Sequence, residues 1–295
     1  MRGQFKIFRF AGISVYLHWS WFLVAVFEIQ ARVGAYTAPG WNILEYLSLF
    51  AIVTMHEFGH ALACRSVGGT PDRIMLWPFG GVAYVDPPQR PGATLWSLAA
   101  GPLVNVALVP VFAVVMMLRP GGNLGEYLYS VELINLGLLI FNLLPIYPLD
   151  GGQILRSLLW YKMGRARSLM AATIVGLVGV AAVIVLALRS LDVWLLAITA
   201  YIAMTCWSGF QQARTLLRIS RLPRLAGLSC PSCHAAPFAG NYWHCPQCAT
   251  NFNIFQGGAC PGCGHAFPLA ACLECGRAAP HSAWAQLAQY TGARA

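Results

Sequence analysis

His56-Glu57-Phe58-Gly59-His60 stands inside an apolar stretch, Ile43 to Val67, that is long enough to cross a bilayer. Ionisable groups are costly at membrane depth, so three within five residues require a purpose. On a helix the two histidines fall at i and i+4, both imidazoles project from one face, and the pair can share a Zn2+. Glu57 between them is placed to act as a general base on water. The pattern points to metal-dependent hydrolysis inside the membrane. The competing interpretations are a purely structural zinc and a metal site without turnover.

Composition fits that setting. Of 295 residues, 58% are hydrophobic and 10% charged, with a mean hydropathy of +0.60, whereas a soluble domain carries about 25% charged residues. The net charge of +9 lies mostly in short loops beside apolar spans, a topology signal rather than a nucleic-acid footprint. Direct nucleic-acid binding is therefore not expected. Neither internal repeats nor low-complexity tracts are present.

Six spans of about 20 residues each are expected: Ile13–Val33, Ile43–Val67, Thr94–Leu118, Tyr127–Tyr147, Ser168–Leu188 and Val193–Phe210. The first follows Arg2, Lys6 and Arg9 like a signal peptide, but it is too long and aromatic and has no small-residue cleavage site. Six crossings put both termini on one face. Counted as far as Arg224, that face carries fourteen Lys and Arg, and the opposite face only Arg32, Arg119 and Arg189. The positive-inside bias then makes both termini cytoplasmic in a multi-pass protein of a bacterial-type cytoplasmic membrane, with the His pair in the cytoplasmic half of span two. Glu28 and Arg32 read as a local i,i+4 ion pair, and His18, beside Trp19 and Trp21, as an interfacial anchor.

Beyond Phe210 the character changes. Arg214, Arg218, Arg221 and Arg224 recur at helical spacing, as in a juxtamembrane helix that meets anionic headgroups. Four Cys-x-x-Cys pairs follow: Cys230/Cys233, Cys245/Cys248, Cys260/Cys263 and Cys272/Cys275. Two pairs close one four-thiolate site, so eight cysteines suit two structural zincs. Sequential pairing is the simplest, and interleaved pairing stays open. Disulfides would need an oxidising compartment, which a cytosolic tail does not meet. His234, His244 and His265 are read as surface residues, and Cys64 and Cys206 as small apolar fillers. A closed four-thiolate site has no place for substrate, so the module is expected to recognise a cytosolic protein partner. The expected organisation is a transmembrane domain over 1–214, a basic linker over 215–228, a tandem zinc-ribbon module over 229–277 and a tail over 278–295.

Two histidines leave a catalytic zinc short of a ligand. Asn142-Leu-Leu-Pro145-Ile-Tyr-Pro148-Leu149-Asp150-Gly151-Gly152 supplies a candidate: its prolines break span four on the face that holds the His pair. The alternative for Asp150 is a cap on the next helix, Gln153 to Met163. Asn105 reads as an interhelical hydrogen-bonding residue, and Asn142 equally as that or as a substrate contact. Ile74 to Val85 reads as an apolar hairpin around Gly80-Gly81, too short to span as a helix.

The His56–His60 motif, followed by Asn142, Pro145, Pro148 and Leu149-Asp150-Gly151-Gly152, resembles the site-2 protease family over roughly residues 5 to 165. Ala100-Gly101-Pro102 with Asn105, and His18-Trp19-Ser20, are also similar. The resemblance implies a zinc metalloprotease that cleaves helices within membranes, with His56, His60 and Asp150 as zinc ligands and Glu57 as catalytic base. It also implies a re-entrant β-hairpin near the site whose edge, with Gly80 and Gly81, pairs with unwound substrate, the alternative being a structural loop that only plugs the cavity. The expected fold is an all-α polytopic membrane protein with that hairpin and a C-terminal zinc-ribbon module, holding one catalytic and two structural Zn2+. Its expected partners are a transmembrane protein substrate and membrane lipid. The alternative is a non-catalytic membrane scaffold or sensor that recruits partners through its ribbons. A zinc transporter would need a second intramembrane ligand cluster, and none is found.

Overall fold

Alternation in Ile13-Ser-Val-Tyr-Leu-His18 decides how the chain enters the membrane domain. In the computed structural model, which describes residues 3–77, 80–190 and 193–284, these six residues form a strand, β2 (Ile13–His18), with Ile13 and Val15 fully buried. It pairs antiparallel with β1 (Gln4–Phe10) and parallel with β3 (Thr70–Trp77). β3 in turn pairs antiparallel with β4 (Gly80–Asp86), completing a four-stranded sheet in the order β1-β2-β3-β4. Helix begins only at Trp21. The helix α1 (Trp21–Ala31) has 11 residues and is about 16 Å long, half of the roughly 30 Å hydrocarbon core.

The expected first helical span, Ile13–Val33, is therefore corrected: the segment is a strand followed by a short helix. It still runs beside α2 (Gly40–Ser66). Trp21 meets Phe50 edge-on, the Tyr46 hydroxyl donates to the Trp21 carbonyl, and Arg32 pairs with Glu45. A strand is tolerated in an apolar setting because neighbouring strands satisfy its backbone groups. Arg32 reaches Glu45 at 3.2 Å and donates to the Ser130 hydroxyl at 2.6 Å. The Glu28 side chain of the expected local pair lies outside the described residues.

Among the described residues, four helices are long and apolar enough to cross a membrane: α2, α3 (Pro91–Met117), α4 (Gly122–Leu143) and α5 (Asp150–Ser190). Pro91 opens α3, where a missing N–H costs nothing. The 41 residues of α5 break at Gly164, whose φ of 76° and ψ of 171° are not helical, so its apolar crossing portion follows that residue. α6 (Val193–Ile219) packs along α5. The all-α expectation is thus corrected: the membrane domain is helical with a small N-terminal sheet. The strand character of Ile74–Val85 is present as β3 and β4. Trp77 pairs with Gly80 and Leu76 with Gly81, so the two glycines begin β4; residues 78–79 lie outside the described residues.

The sheet lies against the C-terminal half of α2. Phe8 stacks on Phe58, and Phe10 meets Phe58 edge-on. Ile13, Val15, Ile74 and Leu76 share a core with Val53 and Ala61.

Two small hairpins follow, β5 (Trp243–His244) with β6 (Asn251–Phe252), and β7 (Leu269–Ala271) with β8 (Ala278–Pro280), then a single turn of helix, α7 (His281–Trp284). Their core is built from Phe252, Ile254, Trp284 and buried cysteines. This module touches the membrane domain. The Arg165 guanidinium donates to the Leu273 carbonyl at 2.8 Å and Gln89 packs against Gly276, while Arg224 of the linker pairs with Glu274. Residues 285–295 of the expected tail lie outside the described residues.

Candidate metal centres

Three side chains from two helices converge in the membrane domain. His56 and His60 project from one face of α2, and Asp150 enters from the first turn of α5. α4 stops at Leu143, and the chain turns through a cis Tyr147–Pro148 bond before α5 begins. Asp150 Oδ2 lies 3.0 Å from His56 Nε2 and 3.3 Å from His60 Nε2, and the two Nε2 atoms are 3.1 Å apart. The other ring nitrogens are committed: His56 Nδ1 donates to Asn105 Oδ1 at 2.6 Å, and His60 Nδ1 donates to the Ser97 carbonyl at 2.8 Å. With Nδ1 of each ring bonded elsewhere, both Nε2 atoms and the Asp150 carboxylate face one point, a donor set suited to a shared cation.

The dimensions fit zinc. Bonds of 2.0–2.1 Å in a tetrahedron place ligand atoms about 3.3 Å apart. α3 leaves room for the ion: a Cβ at Gly101 would sit 2.8 Å from His56 Nε2 and closer still to His60 Nε2, in the space a shared ion takes. Ser97 and Asn105 on the same helix are fully buried, so α3 both orients the rings and vacates the centre.

Glu57 stands on the open side. It is buried, and its carboxylate lies within 4.8 Å of the histidine nitrogens. Across from it runs β4: the Ala83 backbone faces the carboxylate, and a Cβ at Gly81 would overlap it. The acid therefore sits between the ligand trio and a strand on the sheet's edge. Among the described residues, Asn142 makes no hydrogen bond to this group. His18 is also apart from it, bonded to Ser20 and stacked on Trp77 with ring centres 4.3 Å apart. Sequence reasoning missed Asn135, which is fully buried and bonded to Asn105. Its one signal is an amide within an apolar helix.

The cysteines form two further clusters. Cys230 and Cys233 join Cys272 and Cys275, with Sγ separations of 3.7 Å between Cys230 and Cys275 and between Cys233 and Cys272. Cys245 and Cys248 join Cys260 and Cys263, with separations of 3.6 and 3.4 Å. Sequential pairing is corrected: the pairs are nested, the first with the fourth and the second with the third. The reason is the fold, because β5–β6 and the turns after it bring the two inner knuckles together while β7 returns the fourth beside the first. Bonds of 2.3 Å to a tetrahedral zinc predict S–S edges of about 3.8 Å, near these values and far from a disulfide. The Thr250 hydroxyl and amide bond the Cys248 sulfur and lower its pKa, while the crowded sulfurs of the same cluster push the Cys263 thiol up, so the four share few negative charges without a cation.

Comparison with known proteins agrees with this geometry. The signature of Peptidase family M50 matches residues 45–129 and 120–186. Zinc metalloprotease MJ0392 of Methanocaldococcus jannaschii is 31% identical over 204 residues, 68% of this chain and 59% of its own. Putative zinc metalloprotease MJ0611 of the same organism is 42% identical over 181 residues, 51% of this chain and 87% of its own. The solved structure of a site-2 protease from M. jannaschii superposes with a TM-score of 0.55 at 28% identity, covering 70% of this chain and 95% of that one. The chain spans about six-tenths of the length of MJ0392. Matched along most of MJ0611, and with its paired histidines and Asp150 gathered around one point, the chain belongs to the M50, or site-2 protease, family.

Proposed function

We propose that this chain hydrolyses peptide bonds in or near transmembrane segments of other membrane proteins, with His56, His60 and Asp150 holding a zinc ion and Glu57 as the general base. One observation carries the reading: three metal-ligand atoms lie 3.0–3.3 Å from one another beside Gly101, where a Cβ would crowd both rings. Bound there, zinc supplies a Lewis acid that polarises the scissile carbonyl and acidifies water. Glu57 takes the proton of the attacking water on a carboxylate oxygen and passes it to the leaving amine. Burial of Glu57 beside Gly81 keeps bulk solvent off that transfer.

An intact helix hides its carbonyls in i to i−4 bonds, so substrate must unwind. The free edge of β4 offers an unwound segment the backbone partners it loses. Gly80 and Gly81 allow close approach there, and Asn142 contacts the substrate. The strand-helix entry segment and α2 to α6 together make six crossings, with both termini cytoplasmic in a bacterial-type cytoplasmic membrane. The nested cysteine clusters hold two structural zincs in a ribbon module over 229–277, joined by the linker 215–228 to the membrane domain 1–214 and followed by the tail 278–295. The module recruits a cytosolic protein.

The test is co-expression with tagged single-pass membrane proteins, comparing the unaltered chain with Glu57→Gln by fragment size. A cut inside the membrane segment that vanishes in Glu57→Gln is the expected result. Cleavage that persists in Glu57→Gln, or that maps to an aqueous domain, overturns the proposal. A scaffold would keep its function in that variant.

A further inference from the structure

Asn105 and Asn135 form a two-amide relay behind His56 in the membrane interior. Both side chains are fully buried. Asn105 Oδ1 accepts the His56 Nδ1 proton at 2.6 Å, Asn105 Nδ2 donates to Asn135 Oδ1 at 2.8 Å, and Asn135 Nδ2 donates back to the Asn105 carbonyl at 3.0 Å. Each group has a defined role. An amide has two ends, and left alone Asn105 could turn either its oxygen or its NH2 toward the ring. Asn135 removes that choice: by accepting from Nδ2 it leaves only Oδ1 for the histidine. A His56 proton is then held on Nδ1, which leaves Nε2, beside Asp150 and His60, as the nitrogen free to bind a metal. The second Asn135 bond, to the α3 backbone, fixes α4 against α3 at the same level.

We propose that Asn135, through Asn105, is a positioning residue that sets the tautomer and ring orientation of His56 for zinc. This rests on the metal-site reading above. An ordinary interhelical bond between two asparagines would stabilise packing but would not end on a metal ligand. Groups that orient a histidine ligand in this way commonly govern affinity by about 10–100-fold.

The experiment is equilibrium dialysis of the purified, detergent-solubilised full chain against buffered free Zn2+, counting bound zinc as the free concentration falls. The unaltered chain should hold three zincs and His60→Ala two, which identifies the intramembrane site; the cysteine sites serve as internal reference. Asn105→Ala should move the midpoint of that one zinc to about 10–100-fold higher free Zn2+, leaving the other two in place. Asn105→Asp should recover most of the loss, because a carboxylate accepts the same Nδ1 proton. Asn135→Leu should shift the midpoint in the same direction by a smaller factor, and it decides the matter if Asn105→Ala does not fold. A lowered melting temperature with an unmoved midpoint in Asn105→Ala or Asn135→Leu makes the relay merely structural and overturns the proposal. An unaltered chain that binds only two zincs removes the metal-site reading itself, and the positioning role with it.

Discussion

The membrane centre and the cysteine clusters both gather metal-ligand side chains, and they are built in opposite ways. Each cysteine site closes four thiolates around a point, using two knuckles whose turns are local. The membrane centre joins residues 94 positions apart, supplies three ligand atoms, and leaves its remaining side to Glu57 and β4. Closed sites hold a fold together, and open ones leave room for a reactant. Their surroundings differ as well. In each Cys-x-x-Cys pair the first cysteine is buried and the second more open, whereas every ring nitrogen and amide around His56 and His60 has a partner inside the protein. At membrane depth no water is at hand to satisfy an unpaired group.

The largest effects should fall on the open site. Glu57→Gln should lower cleavage by about 10²–10⁴-fold with all three zincs retained, while His60→Ala and Asp150→Ala should lose both cleavage and one zinc. Activity measured beside zinc content separates the two classes. Gly101→Ala comes next, because its Cβ would collide with both histidine rings on the side where they face the ion, while every ligand residue is kept. It should lose the same single zinc, read by metal analysis of the purified chain.

The closed sites should respond by nesting. Structural zinc supplies about 10–16 kcal/mol in small domains, and the outer cluster spans the inner one in sequence. Cys230→Ser should therefore open the whole module to protease, whereas Cys248→Ser should release one zinc and leave the Cys272–Cys275 knuckle docked. Peptide mapping after limited digestion distinguishes them. Arg165→Ala should have the smallest effect, about 1–2 kcal/mol. It removes the bond to the Leu273 carbonyl and should speed release of the module without changing zinc content.

Much of the site could be read from the chain because its parts are local. Histidines four apart on an apolar helix share a face in any fold, and the prolines before Asp150 mark where that helix breaks. The entry segment could not be read the same way. Hydropathy sees Ile13 to Val33 as one apolar run, and only the alternation of Ile13, Val15 and Leu17 with Ser14 and Tyr16 hints at a strand. Its partner β3 lies some 60 residues away, beyond any local signal. The same limit hid Asn135, whose meaning depends on α3 lying beside α4, and the nesting of the cysteines, since identical Cys-x-x-Cys pairs carry no label for their partner.

Anomalous diffraction at the zinc edge, from crystals of the full chain, tests the shared-ion geometry directly. Three peaks are predicted, one of them about 2.0–2.2 Å from His56 Nε2, His60 Nε2 and an Asp150 oxygen. Two peaks at the cysteine clusters, with none between the paired rings in zinc-replete crystals, would contradict it.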